Sequence, residues 1–209
     1  MAYRCVATSV AGFVQQLAVA YVAHGYWFYV TGRVPDGKDP AEVDRKLIAR
    51  YEIGISKWAR SRQKRHGRAR IQYLRFERFF VLLATHGEHP FFADEGKQVH
   101  DIRRRPILFE GYAIGCRKGR TSGTWHASVR IERRRFRELK ERFEEAAIHR
   151  TTEDLCRELR STGFEPYAPV RDQLQQLRRA INRRRQAAGL ELIPPEAVGW
   201  RRSPVRPFE

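Results

Sequence analysis

The stretch Thr85-His86-Gly87-Glu88-His89-Pro90 is the part of this chain equipped for chemistry. Two imidazoles and a carboxylate follow the apolar run Phe79 to Ala84, at what reads as the end of a strand. Such groups at a strand end can hold a divalent cation, Mg²⁺ or Mn²⁺, which polarises a phosphodiester and orients its attacker. Without a metal, His86 or His89 can act as general base or acid against a ribose 2′-hydroxyl, with an arginine on the developing charge. The plainer reading is a polar turn whose histidines and Glu88 bond to backbone or water, with no cofactor at all.

The pair His86 and His89 is similar to that of the HUH nucleases and nickases, whose histidines sit on a central strand while a tyrosine attacks the DNA phosphorus. The HUH spacing leaves one residue between the histidines, which puts both on one face of the strand. Here Gly87 and Glu88 intervene, so Gly87 has to bend the backbone. Tyr112 and Tyr167 are the nucleophiles available. Metal-free cleavage resembles the repeat-RNA processing nucleases of CRISPR systems, which pair two ferredoxin-like folds and carry a glycine-rich basic loop comparable to residues 115–123. The remaining histidines show no ligand spacing.

The chain as a whole is strongly basic. Lysine and arginine number 41 against 24 acids in 209 residues, a formal charge of +17. A folded domain with that surplus repels itself unless a polyanion offsets it. Most of the cations are arginines, whose planar forks match phosphate oxygens. The chain is 42% hydrophobic, which supports a packed core rather than a disordered basic tail. Cys5, Cys116 and Cys156 lack C-x-x-C spacing, which suits buried thiols in a reducing compartment. Val10 to Val22 is too short and too polar to cross a bilayer. The expectation is a cytoplasmic protein whose partner is DNA or RNA, not a membrane.

Three stretches concentrate the charge. Lys57, Arg60, Arg62, Lys64, Arg65, Arg68 and Arg70 fall within fourteen residues free of acids, around Trp58; this reads as a flexible loop that orders on a phosphate backbone. Arg117, Lys118 and Arg120 lie in a glycine-rich turn, where small residues let backbone amides approach phosphate. Arg178, Arg179, Arg183, Arg184 and Arg185 form the third cluster, on a helix. Arg133, Arg134, Arg135 and Arg137 share their helix with glutamates and belong partly to a solvated ion-pair face. Seven to ten phosphate contacts would make affinity fall by roughly 10³ to 10⁵ between low and moderate salt. Trp58, Tyr73, Trp125 and Trp200, flanked by arginines, are candidates for base stacking.

The elements that must position these groups follow from periodicity. Ser9 caps a helix over residues 10–24 that Gly25 ends. Tyr26 to Thr31 reads as a central strand, and Asp39-Pro40 opens a second helix. Residues 71–76 and 79–85 read as paired strands, 106–116 as another, and 125–131 completes a hairpin. Helices follow over 133–149, 152–161 and 170–188. The fold expected is α+β: a mainly antiparallel, ferredoxin-like sheet of the split β-α-β type with helices on one face, then a helical module and an extended arm. Its divisions are 1–131 with the basic loop 56–70, then 132–189, then a Pro/Arg tail over 190–209.

The function expected is nucleic-acid binding through the phosphate backbone, within a ribonucleoprotein or mobile-element complex alongside other protein subunits. The alternatives are a nuclease or nickase centred on His86, Glu88 and His89, and a structural RNA-assembly protein.

Overall fold

Strands buried on both faces organise the first part of the chain. In the computed structural model, which describes residues 3–119, 121–199 and 202–208, strands β1 (Phe28–Arg33), β2 (Ile71–Phe76), β3 (Phe79–Ala84) and β4 (His100–Asp101) form one sheet in the order β2-β3-β1-β4. Every pairing in it is antiparallel. The β2–β3 turn is as tight as residues 77–78 require, with Glu77 at φ 49°.

One face of this sheet carries Val30, Ile71, Tyr73, Leu82 and Ala84. It packs against Tyr51 and Ile53, which follow helix α2 (Pro40–Arg50), and against Phe91 of α4 (Pro90–Glu95). The opposite face, with Leu74, Val81 and Leu83, is buried as well. Helix α1 (Val10–Gln15) packs there through Phe13, whose ring meets Phe79 edge-on at 5.9 Å. The expectation of helices on one face is therefore corrected: the apolar helix around residues 10–24 has its own sheet face to bury. That helix is capped by Ser9, which accepts from the Gly12 N–H at 3.1 Å. It widens to a π-turn over Gln16–Tyr21 and ends at Gly25, whose φ of 88° is left-handed.

Inside this framework Asp44 of α2 is buried. It accepts from Arg75 Nε and Nη2 at 2.7 Å and from the Tyr73 hydroxyl at 2.6 Å. Tyr73 is 0% exposed, which removes it from the stacking candidates.

A second sheet has the order β5-β6-β7, from Ile107–Phe109, Tyr112–Lys118 and Trp125–Ile131. Three helices follow: α5 (Arg133–Ala146), α6 (Thr152–Arg160) and α7 (Ala168–Ala187). Leu139, Phe143, Leu155, Leu159, Leu174, Leu177 and Ile181 are their buried stripes. Tyr112 is buried too, its hydroxyl accepting from the Glu165 N–H at 2.8 Å, which makes it a structural group.

The chain divides into two compact units. One comprises Met1–Ile107, Ile114–Ser128 and Pro204–Glu209; the other comprises Leu108–Ala113 and Val129–Ser203. The architecture is mixed α+β with antiparallel sheets. Among the described residues no helix is long and apolar enough to cross a membrane. Among the described residues after the short 3₁₀ turn Pro195–Ala197 no further helix or strand forms, yet Val205 and Pro207 are docked. Gln15 clasps the backbone of Val205 with its Nε2 at 2.7 Å and its Oε1 at 3.2 Å, and the Thr8 N–H donates to the Pro207 carbonyl at 3.1 Å.

Candidate nucleic-acid interface

The basic stretch is a helix, not a loop. Helix α3 spans Lys57–Arg65, and Ser56 Oγ accepts from the Ala59 N–H at 3.2 Å at its start. Lysine, arginine, glutamine and alanine are good helix formers and no glycine or proline interrupts the nine residues. The segment has no apolar stripe to signal a helix, which is why composition alone suggests a loop. Ala59 and Gln63 are half-buried, while Trp58, Arg62 and Arg65 are exposed. These last three are spaced i, i+4 and i+7, so they form one outward stripe. Trp58 is 84% exposed. Among the described residues Arg62 and Arg65 have no acid partner, consistent with the absence of acids from this stretch. Of Lys57, Arg60 and Lys64 the structure describes the backbone placement in α3.

The end of this helix meets the histidine segment. Arg68 and Glu88 form a parallel bridge: the Ala69 N–H donates to the Glu88 carbonyl at 3.0 Å, and the Glu88 N–H donates to the Gly67 carbonyl at 3.2 Å. Gly87 makes this approach possible. Its φ is +136°, and a Cβ there would lie 2.5 Å from both Ala69 N and Gly67 O. Arg70, one residue on, lies over the Tyr26 ring at 5.3 Å.

A cleft of about 450 Å³ lies at this junction, lined by Arg50, Glu52, Gln63, Arg68, Glu88 and His89 among others. Two regions far apart in the sequence thus share one site. His89 caps α4, its Nδ1 accepting from the Phe91 N–H at 3.1 Å, so the neutral ring carries its proton on Nε2. Burial holds its pKa below the usual histidine value, against the opposing pull of Glu52. His86 is exposed, with its ring beside Phe28 at 6.4 Å. Arg50 is held by Asp94, with Nη2 3.0 Å from Oδ2. Glu52 and Glu88 bring carboxylates to the cleft beside Arg50 and Arg68, whereas the exposed stripe of α3 carries cations and no acid. Among the described residues, no three His, Cys, Asp or Glu side chains are grouped to hold a metal ion.

The glycine-rich turn is the tip of the β6–β7 hairpin. Its amides are engaged internally, Gly119 N–H to the Thr124 carbonyl at 2.8 Å and Gly123 N–H to the Gly119 carbonyl at 3.1 Å. Turn closure uses these two amides, so neither is free to meet a phosphate. The side chains of Arg117 and Lys118 are exposed. Arg120 and Trp200 lie outside the described residues.

The arginines of α7 separate into two sets. Arg185 is 4% exposed and donates from Nη1 to the carbonyls of Ala147 and Arg150 at 2.8 and 2.9 Å, and from Nη2 to Thr152 Oγ1 at 2.9 Å. Its Nε donates to the Glu191 carbonyl. Arg185 is thus a buried tie, not a phosphate contact. Position 185 continues the stripe Val170, Leu174, Leu177, Ile181, so helical spacing carries it inward. Arg178 is also held, by Gln175 Oε1 at 2.9 Å and the Ile193 carbonyl at 3.1 Å. Arg179, Arg183 and Arg184 remain exposed, without an acid partner among the described residues. On α5, by contrast, Arg134 and Arg135 are paired with Glu138, and Lys140 with Glu144.

Arg103 is a residue that the sequence patterns above do not single out. Its guanidinium is fixed by Asp101, with Nε 2.9 Å from Oδ1 and Nη2 2.7 Å from Oδ2. It sits over the Trp27 ring at 4.5 Å. The Asp-x-Arg spacing at 101–103 is the one local signal for it. Comparison with known protein families, with curated proteins and with solved structures found no match to this chain.

Proposed function

We propose that this protein binds nucleic acid by its phosphate backbone, as a cytoplasmic subunit of a ribonucleoprotein or mobile-element complex. The observation that carries the reading is the outward stripe Trp58, Arg62 and Arg65 on a helix without acids. Neighbouring phosphates neutralise such cations where the protein's own carboxylates do not, and the released counterions drive association. Arg68 extends this surface, and Arg117 and Lys118 add to the charge of the same compact unit. The other unit contributes Arg179, Arg183 and Arg184. The strand order β2-β3-β1-β4, with α2 following β1 and α4 following β3, supports a split β-α-β, ferredoxin-like sheet as the scaffold.

The test is incubation of the purified protein with labelled single- and double-stranded DNA and RNA, with and without Mg²⁺ or Mn²⁺. Binding without cleavage is the expected result. Cleavage that disappears in His86→Ala or His89→Asn would replace this reading with a nuclease working at the cleft.

A further inference from the structure

Asp101, Arg103, Trp27 and Trp125 form an arrangement that a simple phosphate grip does not use. Asp101 accepts from Arg103 four times, from the backbone N–H at 2.9 Å, from Nε at 2.9 and 3.1 Å, and from Nη2 at 2.7 Å. This fixes the guanidinium plane. Arg103 in turn draws the Asp101 carboxyl below its ordinary pKa, so the pair is ionised at neutral pH. The guanidinium carbon then lies 4.5 Å from the Trp27 ring centroid, 5.8 Å from that of Phe28 and 5.9 Å from that of Trp125. Arginine and aromatic planes held in this way form a surface on which a further flat ring can lie.

Trp125 keeps part of that surface open. It is the first residue of β7 and remains 38% exposed. The hairpin closes immediately before it, through Gly119 N–H to the Thr124 carbonyl, with exposed Arg117 and Lys118 on the preceding strand. Arg104 is also exposed, and its side chain makes no hydrogen bond or ion pair among the described residues. A partly exposed indole on a hairpin that carries exposed cations is complementary to a base joined to phosphates. Inside a duplex both faces of a base are covered by its neighbours, so only an unstacked base can use such a face.

We infer that Trp125, backed by Arg103 and Trp27, is a stacking site for one base of a single-stranded nucleic acid. This rests on the nucleic-acid reading above and adds to it the strand state and a base-dependent contact.

The test measures affinity for a labelled single strand, made as DNA and as RNA, and for matched strands in which every base is replaced by an abasic site. Wild type, Trp125→Ala and Trp125→Phe are compared, with thermal unfolding as the check on folding. The wild-type protein is expected to prefer the base-bearing strand. Trp125→Ala should bind that strand roughly tenfold more weakly, with abasic binding unchanged, because a stacked base contributes in that range. Trp125→Phe should retain most of the preference. Equal wild-type binding of base-bearing and abasic strands, or a Trp125→Ala effect that is the same on both, overturns the stacking site and leaves backbone binding standing. Failure of the wild-type protein to bind either strand at low salt overturns both.

Discussion

Ala69 and Glu88 are joined backbone to backbone, the N–H of one 3.0 Å from the carbonyl of the other, and this bond ties the basic helix to the histidine segment. It exists because position 87 has no side chain. In Gly87→Ala the added Cβ would collide with Ala69 N and Gly67 O at 2.5 Å, on a backbone with φ at +136°. We expect a loss of about 1–3 kcal/mol in urea unfolding. Nucleic-acid affinity should fall with it, because α3 loses its anchor.

His89 should give the fold a pH dependence on the acid side. Burial lowers its native pKa below the ordinary 6.5, so the unfolded chain takes up a proton where the folded one does not. Unfolding stability then rises with pH through the window between the native pKa and about 6.5, and is lost as pH falls through it. His89→Asn keeps an N-cap acceptor but cannot titrate. Urea midpoints measured from about pH 5 to pH 8 should show a shallower acid-side decline in the variant than in the wild type. Parallel curves would show that His89 is not the group responsible.

Adjacent arginines on α7 should behave in opposite ways. Removing the buried Arg185 guanidinium takes the donor from three backbone carbonyls and from Thr152, with the Ala147 carbonyl buried and the others partly so. Arg185→Ala should therefore cost about 2–4 kcal/mol of stability. Arg184→Ala removes an exposed side chain and should change stability by less than about 0.5 kcal/mol. Chemical denaturation of the two variants compares them directly; equal effects would contradict the inward placement of Arg185.

The same two residues mark how far the sequence can be read. The strands over 71–76, 79–84 and 125–131 are legible because β-formers and apolar residues run between clear turns. Gly25 and Asp39-Pro40 announce their helix ends for local reasons. Arg185 passes for a surface cation when charge is weighed ahead of period, although the stripe from Val170 through Ile181 leads to it. Helix α3 is hidden for the opposite reason, a strong helix propensity without an apolar face. The junction at Arg68 and Glu88 joins positions far apart in the chain, and no local pattern encodes that pairing. The pair Asp44 and Arg75 is similar: each residue looks like surface until α2 lies across β2.

Salt dependence of binding tests the central claim most directly. Affinity for a labelled single strand is measured from about 50 to 300 mM salt, for the wild type and for Arg62→Glu with Arg65→Glu. If the outward stripe of α3 lies on phosphates, the double variant should bind at least tenfold more weakly at low salt. Its log–log slope should be shallower by about 0.7 for each phosphate that the variant no longer neutralises. An unchanged slope with unchanged affinity would contradict the account.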